Sequence, residues 1–316
     1  MIRTGRGRSA DSQRSRSKPG RGIFSARVRT NEPVCREHYR ISLTVPAFPQ
    51  SRPGQFVNIL CCPCKQSFPR PVSISEDSPL ITTGGDILSP APLLRRPFSL
   101  AGRSQAGCQT ELEILYRVVG SGTRWLSGVS IGEEINIIGP LGNGFTIGAS
   151  RERALAVLIG GGTGIAPLGY LADELKKMGR DVIIFIGARS REFLPVSFLD
   201  AKRFPIIIAT EDGSAGFRGM VHQGWEEWLG KECPDPSDII VYTCGPEAMM
   251  KEVSRRCASM KVRCQVSLER LMACGMGLCQ GCAVKVKSAE PPYWRFKLTC
   301  TDGPVFDADE VIWQDD

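Results

Sequence analysis

The chain has 316 residues, an ordinary apolar and charged content and a formal net charge of +7. Residues 1–30 carry nine Lys or Arg and one acid, so the rest is close to neutral, which argues against a basic nucleic-acid-binding body. No run of about 18 apolar residues exists, which excludes a membrane-spanning helix; thirteen cysteines is a high count, but the chain is too long for a typical disulfide scaffold, and four of them at tight spacing near the C-terminus argue for a metal in a reducing compartment.

Residues 1–22 are rich in Arg, Ser and Gly and are expected to form a disordered basic tail, a composition that also fits a targeting segment. From 23 to 148, short strands at 41–45, 56–60, 112–119 and 134–138 are separated by Gly and Pro, which predicts a β-barrel. Within that stretch, 61–94 is rich in Pro, Ser and Cys and reads as a long inserted loop. From 149 to 262, strands at 154–159, 181–186, 205–209 and 239–243 alternate with helical patterns at 168–178 and 247–257, the signature of a doubly wound parallel sheet. Residues 263–316 hold a cysteine cluster and read as a third, small domain. The expected fold is therefore mixed, an antiparallel barrel followed by an α/β domain and a cluster domain.

Several segments carry chemistry. Arg95-Arg96-Pro97-Phe98-Ser99 places cations, an aromatic ring and a hydroxyl on one strand, a set suited to a flavin. Leu115-Tyr116-Arg117 and Gly120-Ser121-Gly122-Thr123 add phosphate-suited features, although each alone also reads as ordinary strand and turn. Gly160-Gly161-Gly162-Thr163-Gly164 follows a strand and opens a helix, so a pyrophosphate can approach the backbone at a helix N-terminus. No Lys-Ser/Thr pair follows, which excludes a Walker nucleotide site. Cys244-Gly245-Pro246 ends another strand, on the sheet edge where ligands bind, and Cys244 could equally be a small core residue. Cys274, Cys279 and Cys282 are spaced C-x4-C-x2-C with Cys300 beyond, the pattern of a plant-type [2Fe–2S] site, with a zinc knuckle as the alternative. Glycines 275, 277 and 281 let that loop wrap closely.

Together these motifs resemble a known family. The order RPFS, LYRVVGSGT, GPLGNGF, GGGTGIAPL and CGPEAMM resembles the ferredoxin–NADP reductase superfamily. The ending LERLMACGMGLCQGCAVKV…CTDGPVF is similar to the electron-transfer subunits of NAD-linked, class 1B dihydroorotate dehydrogenases, over about residues 23–310. The resemblance implies one FAD held by Arg96, Pro97, Phe98, Ser99, Leu115, Tyr116, Arg117, Gly122 and Thr123. It implies one [2Fe–2S] cluster on Cys274, Cys279, Cys282 and Cys300, and NAD at Gly160 to Gly164 and Cys244 to Pro246. It further implies a cytoplasmic protein of pyrimidine biosynthesis, acting with an FMN-containing catalytic subunit in a heterotetramer of two each, with no nucleic acid and no membrane. Electrons would pass from dihydroorotate at the FMN through the cluster and FAD to NAD⁺.

Other residues stay open. Arg70-Pro71-Val72-Ser73 is a rival flavin strand, less suited than 96–99 because no aromatic residue follows its Arg. Cys61, Cys62 and Cys64 lack a matching pair for a second metal. His38 and His222 read as filler, while Glu211 and Asp212 read as a turn that could lie near the nicotinamide. Arg189 and Arg191 could hold a 2′-phosphate, so these residues do not choose NAD over NADP. Two alternatives to the dihydroorotate-linked reading remain: a flavin and iron–sulfur subunit of another NAD(P)-linked oxidoreductase, and a non-enzymatic zinc-binding module.

Overall fold

The computed structural model describes residues 20–62, 94–147 and 154–313. The expected tail up to residue 19, most of the expected insertion with Arg70 and Cys64, and the expected boundary near 148 lie outside them. Among the described residues no helix is long and apolar enough to cross a membrane.

The first body contains β1 (Gly22–Cys35), β2 (His38–Pro46), β3 (Phe56–Ile59), β4 (Arg96–Ser99), β5 (Gly102–Ala106), β6 (Gln109–Arg117), the short helix α1 (Ser121–Ser127) and β7 (Glu134–Leu141). The strands form one antiparallel half barrel in the order β4-β3-β7-β1-β2-β6-β5. Side chains of a strand point alternately to its two faces. In β7, Ile135 and Ile137 are buried in the barrel core while Glu134 is exposed. The same rule sends Val57, Ile59, Phe98, Ile114 and Tyr116 inward.

The second body contains β8 (Leu155–Gly161), α2 (Ile165–Lys177), β9 (Val182–Ala188), β10 (Ile206–Thr210), β11 (Phe217–Arg218), α3 (Val221–Glu232), β12 (Ile239–Cys244), α4 (Glu247–Met260) and β13 (Arg263–Ser267). The sheet order is β11-β10-β9-β8-β12-β13, all parallel, with β16 (Val305–Asp307) added antiparallel at the edge. The strands are apolar on both faces because both are covered. Leu168, Leu171 and Leu175 of α2 pack on one side, and Trp225 of α3 with Met250 and Val253 of α4 on the other. Chain order reverses between β8 and β12, and the crevice at the carboxyl ends of those two strands is where such sheets take ligands.

The expected boundary after 262 falls just ahead of β13, which this sheet carries. The chain leaves the sheet after Ser267, forms the hairpin β14 (Ala283–Lys287) and β15 (Trp294–Leu298), and returns as β16. The cysteine segment is thus an excursion from the sheet. Three side-chain amides help weld it and the sheet to the barrel. Asn58 Nδ2 donates to the Cys274 carbonyl at 3.0 Å, Asn143 Nδ2 donates to the Asp302 carbonyl at 2.9 Å, and the Gln265 amide exchanges two bonds with the Thr146 backbone.

Candidate cofactor sites

The strand expected to hold a flavin, β4, is paired with β3 in the register Phe56↔Ser99, Asn58↔Pro97 and Ile59↔Arg96. Its neighbour Arg95 is a brace: Nη1 reaches the carbonyls of Asn58 and Asn136 at 3.3 and 3.2 Å, and Nη2 reaches the Asn136 side chain. Arg96 instead lies over the start of α1. Its guanidinium rests on the Leu94 carbonyl at 2.7 Å, close to Gly122. That leaves a cation beside the Gly120–Thr123 turn, the arrangement a flavin phosphate needs. Thr123 shapes the turn: its Oγ1 accepts from the Val119 and Gly120 amides at 2.9 and 3.1 Å.

The aromatic expectation changes. Phe98 and Tyr116 point into the barrel and meet edge to face at 5.8 Å, and the Tyr116 hydroxyl donates to Asn31 Oδ1 at 3.0 Å. Leu115 is buried towards the α/β layer. These residues can offer a flavin their backbone, while their side chains are spent on packing. Arg117 is bound to Glu37, with Nε and Nη2 both donating to Oε2 at 2.9 and 2.7 Å, which holds the Glu37 carboxyl below its ordinary range.

A cleft of about 720 Å³ opens at the crevice between β8 and β12. Gly161, Gly162, Thr163 and Gly164 line it, as do Gly245 and Pro246 from the end of β12. Two turns meet there so closely that only glycines fit: a Cβ on Gly164 would collide with the Cys244 carbonyl, and one on Gly245, at φ +151°, would come within 2.9 Å of the Gly161 nitrogen. The α2 N-terminus follows directly, which favours a pyrophosphate there. Gly160 and Cys244 sit behind the lining. Cys244 is 8% exposed, and burial, reinforced by the Glu269 carboxylate, pushes its thiol up to about 12.

The barrel supplies the opposite wall through His38 and Arg117, which face each other across the β2–β6 ladder. His38 is buried, its Nδ1 lies 2.7 Å from the Arg36 carbonyl, and burial lowers its pKa. Both histidines read as filler thus line this cleft, as do Glu211 and Arg189, whereas Asp212 and Arg191 line a neighbouring hollow. Nothing local in the sequence marks His38, because only its pairing with Arg117 brings it here.

The four motif cysteines lie as two neighbouring pairs, Cys274 with Cys279 and Cys282 with Cys300, and among the described residues no three metal-ligating side chains stand close enough to hold a single ion. Cys282 and Cys300 are buried side by side against Phe56 and Leu141, while Cys274 is half-buried and Cys279 exposed. The Cys274 sulfur accepts from the amides of Met276 and Cys279 at 3.5 and 3.4 Å. Burial alone would raise its pKa, but these donors outweigh it and bring the thiol down to about 6. Cys300 is pushed up to about 12, by burial first and then by the Cys282 thiol. Four thiols in two neighbouring pairs, with backbone N–H groups already turned on one sulfur, fit the donor set of a two-iron cluster.

The chain is similar to known proteins. The family model for the iron–sulfur cluster binding domain of dihydroorotate dehydrogenase B matches residues 269–312. The dihydroorotate dehydrogenase B (NAD(+)) electron transfer subunit of Desulforamulus reducens is 33% identical over 294 residues, 92% of this chain and 99% of that protein. Its counterpart from Caldanaerobacter subterraneus subsp. tengcongensis is 40% identical over 220 residues, 70% of this chain and 81% of that protein. The solved structure of an NADH-dependent reduced ferredoxin-NADP oxidoreductase superposes with a TM-score of 0.70 at 27% identity, covering 91% of this chain and 90% of that one. The ferredoxin reductase of carbazole 1,9a-dioxygenase shares the fold, with a TM-score of 0.57 at 20% identity over 77% of this chain and 67% of that one.

Proposed function

Because this chain belongs to the family of dihydroorotate dehydrogenase B (NAD(+)) electron transfer subunits, we propose that it links dihydroorotate oxidation on a partner subunit to NAD⁺ reduction in its own cleft. Its cofactors are FAD, a [2Fe–2S] cluster and NAD. When bound, the flavin exchanges a hydride with the nicotinamide and the cluster passes electrons singly.

The residues divide the work by place. Arg96 and the Gly120–Thr123 turn hold the FAD phosphate, and the backbone of Pro97 to Ser99 and Leu115 to Arg117 holds its ring. Gly161 to Gly164 and the α2 N-terminus hold the dinucleotide pyrophosphate. Gly245 and Pro246 wall the end of the cleft against water, with the protonated Cys244 packed behind them. His38, neutral at pH 7, closes the barrel side without adding charge beside Arg117. Cys274, Cys279, Cys282 and Cys300 hold the cluster, and the reduced thiols this requires suit the cytoplasm.

The observation that carries the reading is the junction of the parts. Strand β4 pairs with β3, whose Asn58 reaches the cysteine loop, and packs against β6, whose Arg117 lines the nicotinamide cleft. An electron carrier between a partner and a soluble cofactor needs that order. The partner is the catalytic subunit that the relatives' name implies, and we assign it an FMN and a two-plus-two stoichiometry. Leu271, Leu278, Tyr293 and Phe296 on the cysteine segment are 63–92% exposed, an apolar surface for it to cover. The 290–295 stretch belongs to this surface, with Tyr293 and Arg295 exposed and Trp294 half-buried under Lys285 at 4.2 Å.

A second reading, a reductase subunit of a ferredoxin-linked enzyme, is favoured by the 0.70 superposition. The test is to supply purified chain with dihydroorotate and NAD⁺ and follow NADH absorbance, with and without the catalytic subunit from the same source. Turnover only in the mixture supports the proposal. Turnover by the chain alone, or none in the mixture despite bound iron and FAD, overturns it.

A further inference from the structure

We propose that Asn58 is a positioning residue that sets the coupling between the cluster and the flavin. The inference rests on the reading that the four cysteines hold the cluster and β4 holds the FAD.

Asn58 is the third residue of β3 and lies opposite Pro97 of the flavin strand. Its neighbours Val57 and Ile59 fill the barrel core, so alternation turns Asn58 to the other face, where the cysteine segment lies. The residue is 1% exposed, and its Nδ2 donates to the carbonyl of Cys274, one of the four cysteines, at 3.0 Å. Gly275 makes that approach possible: its φ is +68°, and a Cβ there would strike the Asn58 Nδ2. The strand under the amide is itself clamped, because Arg95 Nη1 bonds both the Asn58 and the Asn136 carbonyls.

The other end of the amide is the telling one. Asn58 Oδ1 is buried and has no hydrogen-bond partner among the described residues. Packing alone would put an apolar side chain at this position, as at Val57 and Ile59, because an unmet buried acceptor costs stability. An amide kept there with only its donor used points to the donor's job. Groups that bond the backbone or side chains of metal ligands orient those ligands and tune the metal. Here the orienting group stands on the flavin strand's own partner, so one side chain ties the cysteine loop directly to the strand beside the flavin.

The test uses the full chain with its cofactors, as wild type, Asn58→Val and Asn58→Asp. Iron and FAD are counted, the cluster's electron paramagnetic resonance spectrum and midpoint potential are recorded, and stopped-flow mixing with NADH separates flavin reduction from cluster reduction. Both variants should keep iron and FAD and be reduced at the flavin as fast as wild type. Cluster reduction should slow about tenfold, a typical effect of losing an outer-shell partner, with a shifted spectrum and potential, the more so in Asn58→Asp, whose carboxylate faces the Cys274 carbonyl. Unchanged cluster kinetics and spectrum in a variant that holds both cofactors would overturn the proposal. So would loss of the cluster from both variants, which would make Asn58 a residue the loop needs in order to fold. Wild-type chain without iron or without FAD would overturn the underlying reading, and this proposal with it.

Discussion

The side chain of Arg96 lies directly on Gly122: a Cβ at position 122 would come within 3.1 Å of the Arg96 Cγ and 3.3 Å of its Nε. The cation and the turn that would share a flavin phosphate are therefore set by one contact. Gly122→Val should push Arg96 aside and weaken FAD binding as Arg96→Ala does, by roughly 1.5–3 kcal/mol for a lost charge-assisted bond. Flavin retained on dialysis is the measurement, with iron content as the control. Full retention of FAD in both variants would remove Arg96 from the flavin site.

Cys279 is exposed on the cysteine loop, away from the barrel core. Cys279→Ser should abolish the iron and leave the FAD in place, because β4 and α1 do not depend on that thiol. Iron and flavin are assayed on the same sample. Iron at the wild-type level would exclude Cys279 as a ligand.

Gly164 has the Cys244 carbonyl where a side chain would go. Gly164→Ala should force the turns after β8 and β12 apart, cost roughly 1–3 kcal/mol of stability as overpacking does, and weaken NADH binding while FAD stays bound. Thermal unfolding and NADH titration read the two effects. An unchanged NADH affinity would place the dinucleotide elsewhere.

Cys244 and Cys61 are buried thiols pushed up to about 12 and about 11, chiefly by burial, against an ordinary value of about 8.5. Folded pKa values above the unfolded one mean that their contribution to stability is complete below about 8.5 and is lost as pH rises through 11 and 12. The unfolding midpoint should fall steadily over that alkaline range, and Cys244→Ala should flatten the fall. In native protein at pH 8, iodoacetamide should modify exposed Cys108 and Cys233 and spare Cys244. Modification of Cys244 as fast as Cys108 would show that its thiol is not shut in.

The sequence was most legible where chemistry dictates residue type. The glycine turn after β8, the Cys-Gly-Pro after β12 and the four cysteines are recognisable because few residues can do what those places require. The parallel sheet was readable too, since its strands are continuous apolar runs. What stayed hidden depends on register. Whether Phe98 faces a ligand or the barrel core is decided by pairing with Val57, and His38 reaches the cleft only because it stands opposite Arg117. Asn58 gave no signal, as its partner is 216 residues away. The return of the chain to the sheet as β16 was invisible because that strand is three residues long.

That return has a consequence for how the molecule could be altered. Ser267 and Val305 are cross-strand partners, so the cysteine segment leaves and re-enters at neighbouring points of one sheet edge. It is a cassette spliced into a turn and not a domain on a tether. Closing such a loop depends only weakly on its length, so the strand order of the sheet does not depend on how long the cassette is, but Val284 and Val286 of its hairpin are buried in the sheet's own core. A redox module is thereby grafted onto a flavin–nicotinamide unit through a single connection, and cutting it out would uncover the core that those two valines close.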